Sequence, residues 1–464
     1  MGNEDFKLPP GWHCRSLVDC TKGRNISYGI VQPGQHQDDG IGIIRVNNIQ
    51  NGKISVADVL KVSHDVESKF SKTRLEGGEV LLTLVGSTGL SAITTKDLHG
   101  WNVARAVAVI KPSDEISAEW IHICLQSPYT KYFLDSRANT TVQKTLNLKD
   151  VKEIPLPIPP IQERMNLEKF YFDLENKINL NFEINQTLEQ ISQTLFKSWF
   201  VDYDPVIDNA LDAGNPIPEA LQSRAKLRQK VRNSANFKPL PAAIRALFPA
   251  EFDETELGWV PGGWKKGSLP DIAFINSTSW GTKNQPDYVN YVDLSNAKDG
   301  IISSIEKIQF EDAPSRARRI LKKDDLIFGL VRPANRSFAY VHIDGLTGST
   351  GFAVIRAKNT IYKNFIYYFV TYDKNVEELA RIADGGAYPA IKPDDICSLP
   401  LIIPPEELVQ SFDESTSNFR DLMNNSLVQN DCLTVLRDTL LPKLISGELS
   451  LEDLPDLIKQ TEAA

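Results

Sequence analysis

Short apolar runs, rich in β-branched residues, recur along two separate stretches of the chain. The first stretch contains IGIIRVNNI, EVLLTLVG and NVARAVAVI, and the second contains YVNYVDL, DLIFGLV and TGFAVIRA. Because glycine, asparagine and aspartate separate these runs, the pattern predicts strands that are joined by turns. A helical pattern follows in each stretch, in SAEWIHICLQSPYTKYFLDS and in IYKNFIYYFVTYDKNVEELARIA. We therefore predict that each stretch folds as a mixed α+β lobe.

The two stretches repeat each other's sequence in the same order. Trp12 of LPPGWHCRSL returns as Trp264 of VPGGWKKGSL, 252 residues later, and Pro160 of EIPLPIPP returns as Pro405 of SLPLIIPP, 245 residues later. Between these points, RVNNIQNGKIS returns as DLSNAKDGIIS, EGGEVLLTLVGSTG as KKDDLIFGLVRPAN, and AVAVIK as GFAVIR. A repeat of this length predicts two whole domains rather than a stack of short units.

A long helical pattern follows each proline-rich phrase. Proline suits the first turn of a helix and cannot continue a strand interior, so each phrase predicts the end of a strand and the start of a helix. Apolar residues recur every three or four positions along each predicted helix. Such an apolar stripe requires a partner helix, and the two stripes of this chain can pack against each other. The alternative is that each stripe packs on its own lobe. The positions at heptad-like spacing are Leu174, Ile178, Asn181, Leu188, Ile191 and Leu195 in the first pattern, and Phe419, Leu422, Ser426, Leu433, Leu436 and Leu440 in the second.

The predicted architecture is an α+β fold in which two similar mixed α/β lobes are separated by two long antiparallel helices. Internal duplication gives it approximate two-fold symmetry. The predicted segments are a first lobe at 1–160, a first helical arm at 161–204, a linker at 205–258, a second lobe at 259–405, and a second helical arm with its tail at 406–464. The linker contains RAKLRQKVR, which indicates either a solvated helix or a helix that contacts DNA.

Charge leaves the partner of this protein open. The net charge is −9, but the acidic excess lies in the two arms, with 8 acidic and 4 basic residues at 161–204 and 12 acidic and 4 basic residues at 406–464. The lobes are near neutral, so either lobe can still present a local basic face. The N-terminus lacks the apolar segment of a signal peptide, and no apolar run is long enough for a membrane span. We expect a soluble, cytoplasmic protein that does not bind membranes.

The motifs of common enzymes are missing from the sequence. There is no GxxxxGK[ST] phosphate loop, no complete GxGxxG dinucleotide fingerprint and no Asp/Asn-Pro-Pro-aromatic motif of amino-methyltransferases. The six histidines and five scattered cysteines show no metal-ligand spacing. We therefore predict a non-catalytic protein that recognises and organises other molecules, without a metal or cofactor of its own.

Several phrases closely resemble the specificity (S) subunit of Type I restriction-modification enzymes, over essentially the whole chain. They are IPLPIPPIQER after the first lobe, LFKSWFVDYDPV at Leu195–Val206, AAIRALFPAEFDETELGWVPGGW at Ala242–Trp264, and LRDTLLPKLISGEL at Leu436–Leu449. The resemblance implies that each lobe is a target recognition domain for one half of a split double-stranded DNA sequence. It also implies that the arms set the spacing and dock two modification (methyltransferase) subunits and, through them, restriction (motor nuclease) subunits.

The resemblance places S-adenosylmethionine, ATP and magnesium on those partner subunits, which would methylate adenine and cleave unmodified DNA. The alternative is a non-catalytic coiled-coil scaffold or adapter whose lobes bind protein or small ligands, which the near-neutral lobes and acidic arms favour. Sequence-preferring, salt-dependent DNA binding would separate the two.

Polar and basic side chains on turns between predicted strands are the candidates for DNA contact, because such groups reach base edges and phosphates. SRARR at Ser315–Arg319 is the strongest phosphate candidate. The candidates are Arg45, Asn47, Asn48, Ser87, Thr88, Arg105, Thr140, Thr141, Gln143 and Lys144 in the first lobe, and Arg316, Arg318, Arg319, Arg332, Asn335, Arg336 and Tyr388 in the second.

Overall fold

Two sets of sheets account for both β-rich stretches. The computed structural model describes residues 8–50, 52–137, 145–235, 237–383 and 389–453. It divides into two compact units, which are Met1–Leu180 with Gln429–Ala464, and Asn181–Val428. We call residues 8–160 the first lobe, residues 259–405 the second lobe, and the helices Ile161–Phe196 and Glu406–Ser446 the first and second arm helices. Each arm helix contributes residues to both units.

The first lobe is built on two sheets. An antiparallel sheet has the spatial order Thr21–Tyr28, Val107–Pro112, Val80–Thr83 and Ser91–Ile93. A second sheet has the order Leu60–Val62, Ile41–Ile44 and Asn102–Val103, of which the last two strands are parallel. The remaining strand pairs are His13–Ser16 with Pro155–Ile158 and Ile49–Gln50 with Lys53–Ile54; the helices are His64–Ser68, Ala118–Gln126, Pro128–Arg137 and Leu148–Lys152.

The second lobe repeats this order. Its antiparallel sheet runs Ala273–Ile275, Phe352–Ala357, Leu326–Gly329 and Phe338–Tyr340. Its second sheet runs Glu306–Gln309, Tyr288–Val292, Leu346–Ser349 and Ala317–Ile320, with the middle two strands parallel. The remaining strand pairs of this lobe are Lys265–Gly267 with Leu401–Ile403 and Ala297–Lys298 with Ile301–Ile302; its helices are Leu269–Ile272, Lys363–Thr371, Asp373–Ala383 and Pro393–Cys397.

Equal strand order confirms the predicted internal duplication. The echoed phrases AVAVIK and GFAVIR form the two equivalent strands Val107–Pro112 and Phe352–Ala357, each second in its antiparallel sheet. The phrase EIPLPIPP and its repeat each supply the last strand before an arm helix. The strand Ala317–Ile320 has no equivalent among the described residues of the first lobe.

Each lobe packs a helix against its antiparallel sheet. In the first lobe, Trp120 is fully buried, and its Nε1 donates to the carbonyl oxygen of Pro157 at 2.8 Å. In the second lobe, Phe365 takes the equivalent position and packs on Phe196 and Phe412 of the arm helices. Buried aromatic side chains of this size each bury about 150–250 Å², so they dominate the packing energy of both lobes.

The two arm helices pack antiparallel within each unit. In the first unit, Asn430 Nδ2 donates to the carbonyl oxygen of Ile178 at 3.2 Å, and Arg437 pairs with Glu175. In the second unit, Asn185 Nδ2 donates to the carbonyl oxygen of Met423 at 3.2 Å. The predicted pairing of the helices is therefore confirmed in each unit. Among the described residues, no helix is both long and apolar enough to cross a membrane.

The predicted seam of the arms was wrong at three positions. Ile191, Leu422 and Leu436 are exposed at 46%, 54% and 42%. Several of the buried side chains along the arm helices are polar, and they include amides, hydroxyls and a guanidinium. These buried polar side chains are Asn181, Asn185, Ser192, Thr416, Arg420 and Asn430.

The segment between the first arm and the second lobe is folded and belongs to the second unit. An ion-pair ladder joins its first two helices, because aspartates and arginines recur every four residues on facing sides. Arg224 forms a bidentate pair with Asp204, with both N–O distances at 2.7 Å. All three arginines of RAKLRQKVR are therefore ion-paired in this ladder. The further ion pairs of the ladder are Arg228 with Asp208 and Arg232 with Asp212. The helices of this segment are Asp204–Ala213, Gln222–Arg232 and Ala242–Arg245. A hairpin joins the strands Phe252–Thr255 and Gly258–Pro261.

Candidate functional site

The parallel strand pair of each lobe ends at one edge, where loops gather. In the first lobe, the strands Ile41–Ile44 and Asn102–Val103 end side by side, and Ala104 N donates to the carbonyl oxygen of Ile44 at 2.9 Å. Arg45 directly follows the first of these strands, and Arg105 lies two residues beyond the end of the second. We call this the first edge. It brings together two arginines that are 60 residues apart in the sequence.

The second lobe forms an equivalent second edge, where Tyr288–Val292 and Leu346–Ser349 end. Asp293 and Thr350 follow these strands. Thr350 N donates to the carbonyl oxygen of Arg316 at 2.7 Å, so the start of the added strand lies at this edge as well.

A tight turn follows Ile44 at the first edge, and the three candidates within it, Arg45, Asn47 and Asn48, have different surroundings. Arg45 Nη2 lies 3.3 Å from Asp58 Oδ2, and Asn47 is exposed. Asn48 is buried, and its amide group donates to the carbonyl oxygens of Ser55 and Asp58 at 3.1 Å and 3.0 Å. Asn48 therefore stabilises the turn, and the prediction that it contacts DNA is corrected.

Arg105 and the Ser87–Thr88 turn belong to the same region of the first lobe. Leu84 N donates to the carbonyl oxygen of Ala106 at 2.7 Å, which joins the two segments. Ser87 and Arg105 are exposed, and the guanidinium of Arg105 lies 5.9 Å from the ring centre of Tyr28. The candidates Thr140, Thr141, Gln143, Lys144 and, in the second lobe, Tyr388 lie outside the described residues.

Arg316 is held by two acceptors at the second edge. Its Nε donates to Asp293 Oδ2 at 2.9 Å and to Tyr291 Oη at 3.1 Å, and its Nη2 lies 2.8 Å from Asp293 Oδ2. Burial raises the pKa of Asp293, but hydrogen bonds from Tyr291 and Arg316 outweigh it and leave the pKa below its usual value. Both groups of the pair are therefore charged at neutral pH. The Arg316 side chain is still 57% exposed.

The other two arginines of SRARR are less available. The guanidinium of Arg318 lies 4.7 Å from the ring centre of Phe310, and its Nη1 donates to the carbonyl oxygen of Ala317 at 2.8 Å. Arg319 Nη1 donates to Ser279 Oγ at 3.3 Å, and burial lowers the pKa of Arg319. Of the three, Arg316 presents its charge most openly.

A strained turn carries the remaining candidates of the second lobe. Arg332 and Arg336 have φ values of 49° and 56°, a left-handed conformation that is uncommon for residues with a Cβ. Arg336 pairs with Asp299 and Asp373, both at 2.8 Å. Asn335, between them, is exposed. Leu330 N donates to the carbonyl oxygen of Gly351 at 2.8 Å, which brings this turn close to the second edge.

Three residues of these edges were missed by sequence reasoning. They are Tyr28 beside Arg105, and Tyr291 and Asp293 beside Arg316. The repeat offered a signal for Asp293, because DLSNAKDGIIS aligns it with Arg45 of RVNNIQNGKIS. The predicted contacts were polar and basic side chains on turns, so the acidic Asp293 was not among them. Within the described residues, no group of three or more His, Cys, Asp or Glu side chains is placed to hold a metal ion.

Comparison with known proteins bears on this arrangement. A family model described as the Type I restriction modification DNA specificity domain matches residues 31–190. The chain is 36% identical over 166 residues to the EcoBI specificity subunit of Escherichia coli, a match that spans 35% of each protein. It is 24% identical over 440 residues to the HindI specificity subunit of Haemophilus influenzae, covering 88% of this chain and 94% of that relative.

A solved structure shows the same fold. The crystal structure of a Type-I restriction-modification system S subunit from M. genitalium matches with a TM-score of 0.50 at 13% identity, covering 94% of this chain and 96% of that one. The repeated lobes, the paired arm helices and the sequence matches agree with one another. The chain is similar to Type I restriction-modification specificity subunits in sequence and, over most of its length, in fold.

Proposed function

We propose that each lobe binds one half of a two-part double-stranded DNA sequence through its edge. The observation that carries this proposal is the recurrence of the same edge in both lobes, each with an exposed arginine on a turn that a sheet holds in place, Arg105 in the first and Arg316 in the second. Arginines at such positions contact guanine edges and phosphates. Rigid strands behind the turns reduce the ordering cost of binding.

The two arm helices are proposed to set the gap between the half-sites. Supporting this, the helices pack antiparallel in each unit, and the contact of Asn185 with Met423 repeats as the contact of Asn430 with Ile178. Side-chain amides that bond to the backbone of a facing helix fix its axial register.

The outer faces of the arms are proposed to dock two modification subunits, and through them the restriction subunits. Exposed apolar side chains on both helices support this, because apolar groups that a helix leaves in water favour a protein partner. In the second unit, Ile191, Leu195 and Phe419 line a groove of about 560 Å³ between the helices. The exposed apolar residues include Ile161, Met165, Leu180, Phe182, Ile184, Ile191, Leu422, Val428, Val435 and Leu436.

In this proposal the chain itself is not catalytic. The modification subunits would methylate adenine with S-adenosylmethionine, and the restriction subunits would cleave DNA with ATP and magnesium. This chain would contribute sequence recognition and geometry.

Mapping methylated positions in host DNA tests the recognition proposal. The chain is expressed with the modification subunits of its system, and we expect methylation at one two-part sequence with a fixed gap. The matched control is a host that lacks this chain. Methylation without a two-part preference, or identical methylation in the control host, would favour the scaffold alternative.

The arm proposal has a separate test. Four residues are inserted after Leu188 and after Leu433, which occupies the equivalent position 245 residues later. Each arm then lengthens by about 6 Å, close to two base pairs of DNA. The gap in the methylated sequence should grow by about two base pairs while both half-sites stay the same. An unchanged gap would show that the arms do not set it.

A further inference from the structure

We propose that Arg316 reads a guanine in the half-site of the second lobe, with Asp293 and Tyr291 holding its guanidinium in position for that contact. The inference rests on the proposed function, because it names a residue that determines specificity in DNA binding by the second edge. It assigns a base contact where the sequence alone pointed to phosphate.

The geometry leaves the correct side of the guanidinium open. Asp293 and Tyr291 occupy the side of Arg316 formed by Nε and Nη2. Nε contacts them at 2.9 Å and 3.1 Å, and Nη2 lies 2.8 Å from Asp293 Oδ2. Within the described part of the chain, no hydrogen bond is made by Nη1. Guanine presents two acceptors, O6 and N7, in the major groove, and arginine binds them with two parallel N–H groups. An arginine that is held on its Nε and Nη2 side can still offer Nη1 and the second N–H of Nη2, which point the same way, for that contact.

The two supporting residues are themselves fixed. Tyr291 is buried in the strand Tyr288–Val292, within a cluster that includes Phe310. Asp293 N donates to Asn296 Oδ1 at 3.1 Å, which closes the turn after that strand. The backbone of Arg316 is held by Thr350. Because both ends of the contact are anchored, little conformational entropy is lost when the arginine meets a base.

Charge argues against phosphate as the partner of Arg316. Asp293 brings a negative charge within 2.8 Å of the guanidinium, so the pair is nearly neutral as a whole. A phosphate near the pair would be attracted by Arg316 and repelled by Asp293. A base edge is uncharged and needs donors in a fixed direction, which the pair supplies.

The first edge lacks this support. Its turn places Arg45 at the position of Asp293. Among the described residues, Arg45 is held only through Nη2, by the backbone oxygen and Oδ2 of Asp58 at 3.2 Å and 3.3 Å. Asp58 is itself largely exposed. Of the two edges, the second is therefore the one at which a carboxylate and a tyrosine hydroxyl hold an arginine through its Nε.

Three variants test the assignment in the full chain with its modification subunits. Arg316→Ala removes the reader, and Asp293→Asn keeps the arginine but removes the charge that holds it. Lys266→Ala is the control, because Lys266 is also 57% exposed and ion-paired, with Glu256 at 2.5 Å, but lies on a strand beside the arm. The readout is the methylated sequence in host DNA, supported by competition binding to duplexes that differ at one base pair at a time.

We expect Arg316→Ala to lower the preference at one G·C position by roughly 10-fold or more, and to leave the other half-site and the gap unchanged. Asp293→Asn should relax the same position to a smaller extent, and Lys266→Ala should change nothing. Full retention of the G·C preference in Arg316→Ala would overturn the assignment. Equal weakening on every duplex would also overturn it, in favour of a phosphate contact.

Two outcomes keep this test separate from that of the proposed function. If the wild-type complex itself shows no two-part sequence, the proposed function fails before Arg316 is considered. If Arg316→Ala gives no measurable binding, Asp293→Asn decides: an unchanged preference at every G·C position of both half-sites would reject the assignment. Thermal unfolding of each variant confirms that the second lobe is folded.

Discussion

The two lobes share a strand order but fill equivalent positions with different side chains. In the first lobe, the hairpin glycine Gly52 lies over His122, and in the second lobe Gly300 lies over Tyr367. At the edges, Asn48 and Asn296 make the same hydrogen bond to the backbone N–H three residues earlier, at 3.0 Å and 3.1 Å. That N–H belongs to arginine in one lobe and to aspartate in the other. The residues that shape the turn are the same, and the side chains that face outward differ.

The arm helices show a similar contrast. In the second unit, Arg420 is buried, with its guanidinium 4.3 Å and 4.4 Å from the ring centres of Tyr367 and Tyr340. In the first unit, Arg437 pairs with Glu175 and remains partly exposed. In the second unit a desolvated cation thus packs tyrosine rings of the lobe on an arm helix, whereas in the first unit a more hydrated ion pair joins the two arm helices. The contrast predicts unequal losses of stability when the two arginines are replaced.

The largest expected effect follows loss of Arg420. Arg420→Met removes a buried charge from three tyrosine rings and from Glu189, so we expect a loss of about 3–5 kcal/mol in the free energy of unfolding. Arg437→Met should cost less, because the Arg437 side chain is 23% exposed to water and that of Arg420 is 8% exposed. Calorimetric unfolding of both variants measures the difference. Equal losses would show that burial does not distinguish the two arginines.

Acid should weaken the first lobe more than the second. Burial lowers the pKa of His122 to about 4, whereas histidine in an unfolded chain titrates near 6.5. The unfolded state therefore takes up a proton first as the pH falls. The stability due to neutral His122 is complete above about pH 6.5 and is lost progressively towards pH 4, by about 3 kcal/mol in all.

The difference in free energy of unfolding between the wild type and His122→Phe should therefore change by about 2–3 kcal/mol, to the disadvantage of the wild type, as the pH falls from 7 to 4.5. Urea unfolding at each pH provides the measurement. Tyr367 takes the equivalent position, and burial raises its pKa, so it stays neutral throughout this range. Tyr367→Phe should show no such change, and a constant difference for both variants would contradict the role of His122.

The smallest expected effect separates the two hairpin glycines. A Cβ on Gly300 would lie 2.4 Å from Tyr367 Oη, whereas a Cβ on Gly52 would lie 3.6 Å from His122 Nε2. Both glycines have positive φ, so each alanine costs about 1 kcal/mol in backbone strain. We expect Gly300→Ala to cost about 1 kcal/mol more than Gly52→Ala, because the buried tyrosine must shift. Thermal unfolding checks this, and equal losses would mean that Tyr367 moves freely.

Much of the fold was predictable from sequence, because the duplicated phrases mark strands that must pair in the same order. The seam of the arms was predicted less well. Heptad spacing placed Ile191 in the interior, but Ile191 is exposed and the neighbouring Ser192 is buried. A periodicity argument assumes that the apolar side of a helix is its packed side. That assumption fails where polar side chains are buried and amides join the two helices.

The edges were predictable only in part. Strand ends indicated where polar side chains gather, and Arg316 and Arg105 lie there. Sequence could not distinguish Asn48, which is buried in its own turn, from the exposed Asn47 beside it. It also could not foresee that Asp293 would hold Arg316, because the two residues are 23 positions apart and meet only through sheet pairing.

The reciprocal amide contacts between the arms bear on how such a chain can arise. Either half of the polypeptide carries one donor and one acceptor, Asn185 with Ile178 in one case and Asn430 with Met423 in the other. Two identical copies of a half-length ancestor would therefore possess every group that the contacts require. A chain that joined two such copies would keep both contacts, and the lobes could then differ in sequence without any change in the residues that make them.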